Sequence, residues 1–97
     1  MEFVVEHAHS CLPGHFPGRP LVPGVLVLDH VLAAIERGHG LLGALRLPQV
    51  KFASPLLPGQ VARVELEGAA PRWRFRVLRG DASGGDVLVA SGEVALA

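Results

Sequence analysis

Asp29 is the residue whose type and surroundings are hardest to reconcile. On a helix its neighbours three and four residues away are Val25, Leu26, Leu32 and Ala33, all apolar. An ionised carboxyl in an apolar bed is costly without a partner, so a buried one favours its protonated form. Two readings are open. The carboxyl can be tied to a backbone group or an arginine for structure, or it can be an acid held ready to give up a proton. His15 stands within Gly14-His15-Phe16-Pro17. A rigid loop can hold an imidazole at a fixed angle over a cleft, and histidine is the commonest general acid/base near neutral pH. An exposed or capping loop histidine is the competing reading. Gly24 falls at a helix start, where unpaired N–H groups and the dipole can hold a developing oxyanion, and a glycine lets a carbonyl approach closely. The plain alternative is an ordinary Pro-Gly helix entry.

Other candidates are weaker. His30 lies beside Leu26, Val27, Ala33 and Ala34 on the same helix, the setting of a core or interface histidine. His7 and His9 share one strand face and with His15 could be imagined as metal ligands, but no Cys/His spacing of a known zinc type supports this. Arg72, Arg74 and Arg76 share one strand face, with Trp73, Phe75 and Val77 on the other. A solvated face over a packed face is the simpler reading; a docking patch for an acidic partner is the sharper one.

The elements that must position these groups can be read from spacing. Residues 2–8 form a plausible first strand. In the turn-rich segment 10–24, SCLPGHFPGRPLVPG, Pro13, Gly14, Pro17, Gly18, Pro20, Pro23 and Gly24 preclude regular helix while also stiffening the chain. Residues 23–37, PGVLVLDHVLAAIER, contain no internal breaker after the Pro-Gly entry, and Gly38 and Gly40 close the run. The helix is apolar nearly all round from Val25 to Ile35, which predicts a buried, central helix. Strands are expected over 50–53, 61–67, 72–79 and 86–96, with a turn at 54–59 and a loop at 80–85, because period-two alternation marks half-buried antiparallel strands. The expected class is α+β: one sheet of about five strands wrapped around one helix, in a single domain over residues 1–97.

The totals narrow the function. With 97 residues, the chain has room for one small core, which oligomerisation would help. Its 49% hydrophobic and 19% charged residues are the opposite of a disordered composition. Net charge is zero, which argues against DNA or RNA as a partner. Cys11 is the only cysteine, so no intrachain disulfide forms. The start MEFVVEHAHS lacks the pattern of a signal peptide, and no apolar run approaches about 18 residues, so neither secretion nor a membrane span is expected. A cytoplasmic enzyme or binding domain fits best.

The run LPGHFPGRPLVPGVLVLDHV at 12–31 resembles the active-site signature of the bacterial 3-hydroxyacyl-carrier-protein dehydratases of fatty-acid synthesis, and VKFASPLLPGQ at 50–60 resembles a second segment of that family. The resemblance implies a hot-dog fold and a homodimer with a continuous sheet and an acyl tunnel at the interface. It places the family's histidine on His15, its helix carboxylate on Asp29 and its oxyanion donor on Gly24, with Phe16, Pro23 and Val25 as adjoining substrate-binding residues. It implies a 3-hydroxyacyl thioester of acyl carrier protein or coenzyme A as substrate, with no metal and no redox cofactor. Histidine and carboxylate of one site would come from different subunits. Common fatty-acid dehydratases carry Glu where this chain has Asp29 and Gln where it has Ala33. Asp at that position resembles the dehydratase/isomerase branch. The short N-terminal part suggests a compact accessory member serving a specialised lipid, polyketide or polyene pathway.

Two alternatives belong beside this. A hot-dog thioesterase would polarise the same carbonyl at the same helix start, with a carboxylate activating water; the histidine in the GHFPG loop argues against it. A non-catalytic acyl-binding or assembly domain need keep neither His15 nor Asp29.

Overall fold

The computed structural model describes residues 1–5 and 21–97. The helix α1 spans Gly24–His39. Pro23 precedes it as N-cap in an extended conformation (φ −61°, ψ 144°), one position before the first turn in which the sequence places it. Its ring fixes φ at a value suited to entering a helix, and its carbonyl accepts from the N–H groups of Leu26 (3.0 Å) and Val27 (3.4 Å). At the other end Gly40 takes φ 97°, which glycine adopts freely, and its N–H donates to Glu36 O at 2.8 Å. Arg37 and His39 lie in the last turn, where the dipole favours cations.

The expectation that this helix is buried all round is corrected. Val27, Val31 and Ile35, four residues apart, press into the core. The opposite line, Val25, Asp29, Ala33 and Arg37, is exposed. One helix on one sheet has only one face to cover, so the apolar residues on the far face meet no other part of the described chain.

Five strands form one antiparallel sheet in the order β1-β3-β4-β5-β2. They are β1 Glu2–Phe3, β2 Leu45–Phe52, β3 Ala62–Ala69, β4 Arg72–Gly80 and β5 Asp86–Leu96. On β4 the alternation holds as read: Trp73, Phe75 and Val77 are buried and Arg72, Arg74 and Arg76 exposed. It breaks at Val77-Leu78, both buried, because a bulge there opposes an extra β5 residue, Val89, to the strand. The core joins Trp73, Phe75, Val77 and Val89 to Val27, Val31 and Ile35 of α1 and to Leu56, Val64 and Val94.

Two strands differ from their expected bounds. β2 begins at Leu45 rather than residue 50, running through Pro48. Pro48 is tolerated because β2 is an edge strand and its register slips by one residue between Arg46 and Gln49, so no ladder bond is asked of the missing N–H. Within the described residues the first strand is only Glu2–Phe3, although the Gly59 N–H donates to Val5 O at 2.9 Å just beyond it.

The outer face of the sheet is a lattice of ion pairs. Arg63 pairs with Asp86 (2.7 Å) and Glu65 (3.3 Å), Arg76 also pairs with Glu65, and Arg72 and Arg74 flank Glu93. The bond from Arg76 holds the Glu65 carboxyl below the usual carboxylate range, and that from Arg63 does the same for Asp86. These partners support the solvated reading of the arginine face. In the loop at 81–85, Asp81 is lowered by the Ser83 hydroxyl and by the N–H groups of Gly85 and Ser83, which close the turn on its Oδ1.

Candidate active site

The start of α1 meets the end of β2 at an apolar cleft of about 410 Å³. Gly24 lies at its mouth. The cleft is lined by Leu21, Val22, Val27, Phe52, Leu56 and Val89, together with the Ala53-Ser54-Pro55 turn. Val27, Leu56 and Val89 are each 2% exposed, so the inner wall is core. The wall is held by main-chain bonds from both sides: Val22 N–H donates to Leu56 O at 2.8 Å, and Ala53 N–H donates to Val89 O at 2.8 Å. A larger hollow of about 540 Å³ lies on the outer face of the sheet, among Lys51, Glu65, Arg74, Arg76 and Glu93. Its charged groups are largely paired with one another, whereas the cleft at Gly24 is lined mainly by apolar side chains.

Within the helix the N–H groups of Gly24 and Val25 have no carbonyl four residues earlier to bind, since the helix starts at Gly24. The first turn of α1 holds no acidic side chain, so nothing within the helix itself offsets its positive dipole end. Gly24 also leaves room for an aromatic ring. A Cβ there would stand 2.7 Å from the Cζ of Phe52 and 3.0 Å from its Cε1. With a side chain at residue 24 the ring would have to take another position.

The sequence-derived candidates fall unevenly around this point. Gly24 and Pro23 are half-buried at the mouth of the helix, and Val25 is 63% exposed beside them. Asp29 lies five residues along α1, about 7–8 Å up the axis, and is exposed rather than bedded among apolar groups. Among the described residues the apolar bed around this carboxyl is therefore incomplete. His15 and Phe16 lie outside the described residues, as do His7, His9 and Cys11. His30 is half-buried and stacks on Phe3, with ring centroids 4.1 Å apart and planes 7° apart. This is the core-histidine role read from its neighbours, and it pins β1 to α1. No cluster of three potential metal ligands occurs among the described residues, and no helix among them is long and apolar enough to cross a membrane.

Phe52 was not singled out from the sequence. Its motif, VKFASPLLPGQ, was visible, but nothing local told that residue 52 meets residue 24. Leu56 and Val89 were likewise legible only as apolar positions in a turn and a strand.

Residues 1–93 match the family model described as ApeI-like, ApeI dehydratase. The 3-hydroxyacyl-acyl-carrier-protein dehydratase FabZ of Rhizorhabdus wittichii is 36% identical over 88 residues, which is 79% of this chain and 55% of that protein. The FabZ of Alkaliphilus metalliredigens is 33% identical over 92 residues, covering 87% of this chain and 63% of that one. The chain thus spans somewhat more than half the length of these relatives. Among solved structures, an uncharacterized protein from Erwinia carotovora superposes with a TM-score of 0.78 at 27% identity, over 99% of this chain and 79% of that one. The dehydratase heterocomplex ApeI:P from Xenorhabdus doucetiae superposes with a TM-score of 0.79 at 22% identity, over 97% and 81%. At that identity the likeness establishes the fold: a helix wrapped by a five-stranded antiparallel sheet, the hot-dog arrangement.

Proposed function

Because this chain belongs to the ApeI-like dehydratase family, we propose that it removes water from a 3-hydroxyacyl thioester, giving the trans-2-enoyl thioester in fatty-acid or related acyl-chain biosynthesis. The observation that carries this reading is the apolar cleft opening at Gly24, in the segment that bears the dehydratase signature. The thioester carbonyl accepts a hydrogen bond from the Gly24 N–H, and the helix start stabilises enolate-like charge as a C2 proton is lost. His15 takes that proton. Asp29, directly or through water, gives the proton with which the C3 hydroxyl leaves as water. Pro23, Val25 and Phe16 are the adjoining substrate-binding residues, and the acyl chain follows the apolar wall.

The working pair is His15 of one subunit with Asp29 of another. The exposed line Val25, Asp29 and Ala33 supports this: a second copy packed there would supply the apolar bed that the described residues leave incomplete. The substrate carrier is acyl carrier protein or coenzyme A. The FabZ relatives bear the former in their names, and the Xenorhabdus dehydratase is itself part of a heterocomplex.

Hydration of trans-2-enoyl thioesters, followed by loss of the conjugated absorbance, tests the reading. His15→Ala and Asp29→Asn should each lower the rate by about 10²–10⁴-fold, the usual contribution of a general acid or base, with circular dichroism unchanged. Release of free thiol in place of hydration would point to a thioesterase. Binding of an acylated carrier without turnover would mark a non-catalytic acyl-binding domain.

A further inference from the structure

Phe52 is a large apolar side chain that the core only half claims. It closes β2, on the same side of the strand as Val50, facing the helix. Its cross-strand partner Ala90 is 0% exposed, yet Phe52 is 54% exposed. The tip of the ring lies against the backbone of Gly24: Cζ, Cε1 and Cε2 stand 2.7, 3.0 and 3.2 Å from where a Cβ on that residue would be. Val27, Leu56 and Val89, buried in the core, line the same cleft. The ring therefore lines the cleft beside this apolar wall, at the residue whose N–H is proposed to bind the carbonyl.

We propose that Phe52 determines which acyl chains the cleft accepts, acting as a movable cover on its apolar wall. The proposal rests on the dehydratase reading. Within the single chain only about half of Phe52 is covered, so a change of rotamer costs it little intrachain packing. A long acyl chain regains that loss by burying its methylenes against Val27, Leu56 and Val89, whereas a short chain does not reach them. The ring in place thus suits short chains, and the ring displaced suits long ones. Phe52 acts on selectivity, with no role in proton transfer.

The experiment compares kcat/KM for a decenoyl and a butenoyl thioester in the unmodified chain, Phe52→Ala, Phe52→Leu and Phe52→Trp. The decenoyl-to-butenoyl ratio within each variant cancels differences in the folded fraction. Phe52→Ala should raise that ratio by about tenfold or more, the scale on which pocket-filling groups discriminate. Phe52→Leu should fall between, and Phe52→Trp should lower the ratio. Equal ratios in all four proteins overturn the role of Phe52 while leaving the dehydratase reading standing. No turnover of either thioester by the unmodified chain overturns that reading, and the selectivity role with it.

Discussion

At Gly24 two demands meet on one Cα. The proposed reaction brings a substrate carbonyl close to its N–H, and the Phe52 ring already occupies the place of a side chain. Gly24→Ala separates these from stability. Alanine is favoured over glycine in a helix by up to about 1 kcal/mol, and the atom it would strike is the far end of a rotatable ring, so the melting temperature should change little. Activity should fall by about 10²-fold, because a methyl group there displaces both ring and carbonyl from the helix start. Thermal unfolding beside enoyl-thioester kinetics checks both halves; a large drop in melting temperature would mean that the ring cannot move. His30 shows the opposite case of a titratable residue whose surroundings explain it fully, stacked flat on Phe3 as a packing group.

Among the elements, the seam between β2 and β5 has the least slack. Gly92 faces Phe75 across one side and Val50 across the other. A Cβ there would collide with the backbone carbonyl oxygen of Gln49 and stand 3.0 Å from the Phe75 ring. A backbone oxygen cannot turn aside as a side-chain end can. Gly92→Ala should therefore destabilise the fold by about 1–3 kcal/mol, the cost of overpacking a filled core, with a melting temperature lower by roughly 10 °C. Gly80 has nothing within 4 Å of its added Cβ, so Gly80→Ala should be close to neutral. If both variants melt alike, the seam is not under steric constraint. β2 also carries Phe52, so its placement on β5 sets where the ring meets the helix.

For the whole molecule, the described chain leaves a helix face and a sheet edge without partners among its own described residues. Val25, Asp29 and Ala33 lie on the outer face of α1, and β2 ends the sheet with a free outer edge. Both are explained if two copies associate with their sheets continuous and their helices adjacent, the arrangement on which the shared His15/Asp29 site depends. Sedimentation should then give about twice 10.2 kDa at micromolar concentration. Ala33→Arg should shift the chain toward 10.2 kDa, since a guanidinium set into an apolar contact leaves an unpaired charge there. A stable 10.2 kDa species in the unmodified protein would sink the shared-site arrangement.

The helix, expected over 23–37 and found over Gly24–His39, and the alternation of β4 were legible in the sequence because each depends on spacing within a few residues. So was the identity of the acid/base candidates, through a motif that is itself contiguous. The sequence alone also marked Asp29 as anomalous, but it could not say that one chain leaves this residue exposed. Apolar neighbours along a helix show which residues share a face, and only tertiary packing decides what that face meets. The same holds for Pro48 within β2, admitted by a register slip at a free edge, and for Gly24 beneath Phe52. Residues 24 and 52 are joined through β2, β5 and the core, so their contact depends on the register of strands far apart in the chain. Local propensity selected the elements; long-range pairing placed an aromatic ring over the helix start and left the Asp29 face open.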